Sequence, residues 1–146
     1  MHSDLAVVPT VTIKRLIASS PEKIFDLWTQ PAKMARWMSP YPGPVQCIAS
    51  ADVRVGGAFK LSMASAASQC DIKGIYVEVQ RPNSLIFTWS GPSTQDADTL
   101  VTLELKAVKG GTELVLTHEK LPTPEIRQGH TVGWANMFEH LDLEVR

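Results

Sequence analysis

Residues 99–119, TLVTLELKAVKGGTELVLTHE, decide the fold. Val101, Leu103, Leu105 and Ala107 share one side of a period-two run, and Leu114, Leu116 and His118 do so in the next. That period marks strands with one buried face. Gly110-Gly111 between the runs supplies the backbone freedom of a tight reversal, so the two strands form an antiparallel hairpin. Downstream the period changes. Pro122 and Pro124 punctuate the chain, and Trp134, Met137, Phe138, Leu141 and Val145 then recur at offsets of 3, 4, 7 and 11, the stripe of an amphipathic helix.

Upstream the strand pattern repeats. Leu85, Phe87 and Trp89 alternate with Ile86, Thr88 and Ser90, and Asp71 to Gln80 carries the β-rich Ile75-Tyr76-Val77-Glu78-Val79. Phe59, Leu61 and Met63 follow the break at Gly56-Gly57, and Val45 to Asp52 precedes it. Short turns between such runs predict an antiparallel meander. Pro40-Tyr41-Pro42-Gly43-Pro44 fits neither helix nor central strand. Before it, Pro31 opens a short helix through Met34, Ala35, Trp37 and Met38. An earlier one starts at Ser19-Ser20-Pro21-Glu22, with Ser19 and Glu22 at the spacing of a capping box and Ile24, Leu27 and Trp28 on one stripe. Val11 to Ile17 is the first strand. The predicted order is strand, two short helices, about six strands and a terminal helix. This α+β arrangement buries its apolar faces most simply as one curved sheet wrapped around one long helix.

Composition narrows the function. With 146 residues there is room for one domain, expected over 1–146 with residues 1–10 as an N-terminal extension. Hydrophobic residues make up 44% and charged residues 20%, enough apolar material for a core without metal or disulfide staples. The 14 basic and 15 acidic side chains nearly cancel, so no net field favours nucleic acid or an anionic membrane. Cys47 and Cys70 form no metal or redox motif and are expected to be reduced. Met1 to Thr10 lacks the basic start and apolar run of a signal peptide, and no window is long enough to span a membrane. A cytoplasmic location is the expectation. The one oddity is four tryptophans in so short a chain.

Several stretches, in this order, resemble one family: Ser20-Pro21-Glu22-Lys23-Ile24-Phe25-Asp26-Leu27-Trp28-Thr29, Ala35-Arg36-Trp37-Met38 and Val55-Gly56-Gly57-Ala58-Phe59. Arg81-Pro82-Asn83-Ser84-Leu85-Ile86-Phe87-Thr88-Trp89, Leu116-Thr117-His118-Glu119 and Gly133-Trp134 complete the set. The sequence is similar to bacterial homologues of the activator of Hsp90 ATPase, within the SRPBCC (START-related, Bet v 1-like) superfamily. The resemblance implies a helix-grip fold of six or seven strands with a cavity between sheet and terminal helix. It implies no single reaction, because relatives include lipid, hormone and polyketide binders as well as cyclases and hydrolases. The terminal helix ends soon after Leu143, which leaves closure of one cavity mouth open.

No phosphate loop, H-E-x-x-H, G-x-S-x-G or dinucleotide fingerprint occurs. The four histidines never fall at i, i+4, so no metal site or cofactor is expected. Asp96 and Asp98 read as solvated loop acids, and Glu78 as solvated or paired. The expected cavity lining is Trp28, Trp37, Phe59, Leu61, Met63, Tyr76, Phe87, Trp89, His118, Trp134 and Phe138. Each has a plainer reading as core; Trp28 and Trp37, on the short helices, either plug one end or touch a ligand. His118 and Tyr76 are the weak catalytic candidates. His118 reads either as a hydrogen-bonded core imidazole or as a ligand-orienting group or general base. Three functions stay open, in this order: a binding protein for a hydrophobic or aromatic small molecule, a cyclase- or hydratase-like enzyme in the same cavity, and an Hsp90-type co-chaperone. An exposed strand edge is compatible with a monomer or a homodimer.

Overall fold

The computed structural model describes residues 9–146. The first eight residues of the expected N-terminal extension lie outside the described part. Thr10–Ile17 (β1) leads into two helices, Pro21–Thr29 (α1) and Pro31–Met34 (α2). Strands Gln46–Ala51 (β2), Ala58–Ala64 (β3), Gln69–Gln80 (β4), Ser84–Trp89 (β5), Thr99–Val108 (β6) and Gly111–Glu119 (β7) follow, then Pro124–Glu144 (α3). The seven strands form one antiparallel sheet in the order β1-β7-β6-β5-β4-β3-β2. The chain meanders from β2 to β7 and then places β7 beside β1.

Alternation sets the faces. Val101, Leu103, Leu105, Leu114, Leu116 and His118 are buried together, and Phe59, Leu61 and Met63 join them from β3. Ala107, expected on that face, lies exposed near the hairpin end of β6. Gly110 and Gly111 take φ of 92° and 145°, the region that disfavours a side chain. The hairpin registers Val108 against Gly111 and Val101 against His118.

Local chemistry sets the helix ends. The α1 cap is Ser20, whose hydroxyl accepts the Lys23 N–H at 3.2 Å, rather than Ser19. Pro21 occupies the first helical position and makes the residue before it the cap. The helix α2 is regular only to Met34 and continues as turns that place Trp37 and Met38 in the core. Thr123 caps α3 by accepting the Ile126 N–H at 3.1 Å. The helix starts ten residues ahead of the apolar stripe because its first turns face a groove instead of the core. Its far end is tied down by Arg36, 2.9 Å from Glu144. Glu78 is paired, accepting the Ser84 hydroxyl at 2.7 Å. Cys47 and Cys70 are free. Both register against Met63 on the strand between them, so they lie about 9–10 Å apart, beyond disulfide reach. No helix among the described residues is long and apolar enough to cross a membrane.

Candidate functional site

The space that the sheet and α3 enclose is filled by aromatic rings. Trp28 lies edge-on to Trp37 at 4.9 Å and stacks on Trp134 at 5.9 Å, and Trp134 stacks on Phe138 at 6.1 Å. On the sheet side Phe59 meets Tyr76 and Phe87, each at 5.4 Å. The hollow left among Trp28, Phe59, Leu61, Tyr76, Phe87 and Trp89 measures about 10 Å³. That is room for about one water, far below the several hundred Å³ a metabolite needs. The indole N–H groups of Trp28 and Trp89 are buried and have no hydrogen-bond partner among the described residues. Each costs about 1–3 kcal/mol.

His118, fully buried, is held at both nitrogens. The Trp134 indole N–H donates to Nδ1 at 3.1 Å, and Nε2 lies 2.7 Å from the Thr99 hydroxyl. Indole can only donate, so Nδ1 is the acceptor and Nε2 carries the proton. The Thr99 hydroxyl passes its own hydrogen to the Trp89 carbonyl. Burial, helped by the neighbouring His130, pushes the His118 imidazole down to about 3. Its one lone pair is occupied, which leaves none to take a substrate proton. Burial likewise raises the Tyr76 phenol to about 12. Neither group has the poise of a general base near neutrality. The geometry is that of a core tie between α3 and the sheet.

A larger space opens beside this core, under the N-terminal half of α3. It measures about 520 Å³, within the range of small-molecule sites. The helix contributes Ile126, Gly129, His130, Gly133, Trp134 and Met137; the sheet contributes Met63, Cys70 and Trp89. Polar atoms gather at the rim. Cys70 donates weakly to the Ser93 hydroxyl at 3.8 Å, and the Tyr41 phenol is raised by burial and by nearby Cys70 and Asp71. The third wall is the proline-rich strap. Asn136 donates to the Pro40 carbonyl at 2.9 Å and His140 to the Tyr41 carbonyl at 2.8 Å. A Cβ on Gly133 would lie 3.3 Å from Pro40, so glycine there lets the strap close on the helix. A second depression, about 460 Å³, lies on the outer sheet face among Lys60, Lys73, Asp71 and Asp96.

Among the expected lining residues, Met63, Trp89 and Trp134 border the groove. Trp28, Phe59, Leu61, Tyr76 and Phe87 surround the small hollow instead. Trp37 is locked in the core, its indole donating to the Leu27 carbonyl at 2.7 Å. His118 and Phe138 sit behind Trp134 in the core. The expected single cavity is thus split by the tryptophans into a closed core and an open groove. Sequence reading missed Tyr41, Cys70, Ser93, Gly129 and His130. The signal for His130 was its position four residues before Trp134, which puts both on one helix face.

No curated protein matches the sequence. Solved structures match across the whole architecture. A Chromobacterium violaceum protein shares 22% identity over 92% of this chain and 96% of its own, with a TM-score of 0.78. An AHSA1-like protein from Aeromonas hydrophila shares 23% identity over 94% of this chain and 92% of its own, with a TM-score of 0.78. A Mycobacterium smegmatis protein reaches 0.79 at 18% identity, covering 94% of this chain and 90% of its own. These likenesses bear on the fold. The family match extends over residues 18–146, from the end of β1 through α3, so the chain belongs to the activator of Hsp90 ATPase homolog 1-like family, consistent with the SRPBCC superfamily.

Proposed function

We propose that the chain is a small-molecule binding protein whose site is the groove under α3. The observation that carries this is an apolar groove of about 520 Å³ beside a core whose hollow among the aromatic rings measures about 10 Å³. Its tryptophan, methionine and isoleucine walls suit an apolar or aromatic ligand, and its rim offers a few polar contacts. The enzyme reading ranks second because His118 and Tyr76, its two candidates, are held far from neutrality by burial. The Hsp90 reading draws on the family's description alone, and stimulation of an Hsp90-type ATPase by the purified chain would promote it.

Gly129 supplies the test. Gly129 lines the groove and a Cβ there meets nothing within 4 Å, so Gly129→Leu adds bulk at the groove wall without a clash at its first carbon. Titration with 2-methoxynaphthalene, followed by quenching of tryptophan emission, should saturate at one molecule per chain in the wild type. Gly129→Leu should lose that saturation while keeping the wild-type melting temperature or exceeding it. A wild-type titration that never saturates, or identical binding by the variant, removes the groove as the site.

A further inference from the structure

His130 stands in the groove wall with one nitrogen committed and one open. Its Nδ1 lies 2.9 Å from the Ile126 carbonyl, one turn back on α3. A carbonyl only accepts, so Nδ1 carries the proton and the lone pair is on Nε2. Among the described residues Nε2 has no hydrogen-bond partner. The side-chain atoms sealed without a partner are the Trp28 and Trp89 indole nitrogens, so Nε2 remains accessible. The ring is fixed further by edge-on contact with His118 at 5.1 Å. Burial lowers the His130 pKa, which keeps the imidazole neutral and Nε2 an acceptor. Beside it, Gly129 leaves the helix backbone bare. A glycine inside a helix costs about 1 kcal/mol relative to alanine. No atom of the described chain comes close enough to require it, in contrast with Gly133 under Pro40.

We infer that the groove selects planar ring compounds that donate one hydrogen bond, a phenolic hydroxyl or a ring N–H, to Nε2 of His130, with the ring lying against α3 at Gly129. This rests on the groove being the binding site and adds the ligand's chemistry. Anionic ring carboxylates are disfavoured, because they offer only acceptors to a neutral acceptor nitrogen. The Trp134 and Met137 side of the groove supplies the apolar contact, and His130 the selection.

The experiment compares 2-naphthol with 2-methoxynaphthalene, which keeps the ring and oxygen but lacks the donor. In the wild type 2-naphthol should bind about five- to tenfold more tightly, the worth of one net hydrogen bond. His130→Phe keeps a ring in place and should erase that ratio, since the Nε2 acceptor is lost. His130→Leu gives the same reading where the larger ring perturbs packing. Equal affinities in the wild type overturn the inference, as does a ratio that survives in both variants. Tighter binding of 2-naphthoate than of 2-naphthol overturns it too. If neither naphthalene saturates the wild type, the groove reading itself fails; if the methoxy compound saturates without discrimination, only the donor rule fails.

Discussion

Acidification should destabilise this protein through His118, by an amount that can be worked out. The imidazole titrates near 3 in the fold and near 6.5 in the unfolded chain. Between those values the unfolded state binds a proton that the folded state refuses. Stability therefore rises with pH across this window and is lost as pH falls through it. From pH 7.5 to pH 4 the loss from this residue is about 3 kcal/mol, which lowers the melting temperature by about 10 °C in a chain of this size. Burial is the largest cause and His130 adds to it; the hydrogen bonds act in the same sense. A proton on Nδ1 would face the Trp134 N–H at 3.1 Å, and the imidazolium would have no water. His130, 5.1 Å away and itself lowered by burial, shifts stability in the same sense and needs its own control.

Thermal melts followed by circular dichroism between pH 4 and 8 make the measurement. Carboxylates contribute to the slope in every variant, so the difference between variants is the quantity of interest. His118→Gln removes the titration and should flatten the pH dependence by about 3 kcal/mol over this range, whatever its cost at neutral pH. Trp134→Phe removes the donor, frees Nδ1 to accept a proton, and should flatten it partially. His130→Phe should have the smallest effect. Equal slopes for wild type and His118→Gln would refute the claim that the folded state excludes a proton from His118 in this pH range.

Two further outcomes follow from the packing. Trp28→Ala should cost about 3–5 kcal/mol in denaturant unfolding. It should also open a core cavity that takes up benzene, seen as a rise in melting temperature that the wild type lacks. Asn136→Ala removes the Pro40 tie and should cost about 1 kcal/mol, with faster exchange of the Tyr41 amide proton as the local sign that the strap has loosened.

The fold was legible because its signals are local and periodic. The alternation through residues 99–119, the Gly110-Gly111 break and the stripe from Trp134 to Leu141 each map onto one element of the structure. Ser19 misled because two adjacent serines precede Pro21 and only backbone geometry selects the cap. The start of α3 was hidden for a different reason. Ile126, Gly129 and His130 alternate with polar residues because they face a groove, and hydropathy reads a groove face as surface.

The tryptophans explain why the site was harder to read than the fold. A curved sheet around a helix leaves a hollow whose filling depends on side-chain volume, which no periodicity reports. Here Trp28, Trp37 and Trp134 meet at ring distances of 4.9 Å and 5.9 Å, and the hollow shrinks to the size of a water. Their closure leaves the open space beside the core, toward the N-terminal turns of α3, where Gly129 and Gly133 stand. The same indoles set the chemistry on either side. Trp134 takes up the lone pair of His118 and makes it structural, and one turn earlier His130 keeps its own lone pair because no donor of the described chain reaches it. Burial removes His118 from any ligand, and the Trp134 indole N–H takes up the lone pair that burial leaves. Trp134→Phe should therefore raise the pKa of His118 while leaving the preference of His130 for 2-naphthol intact.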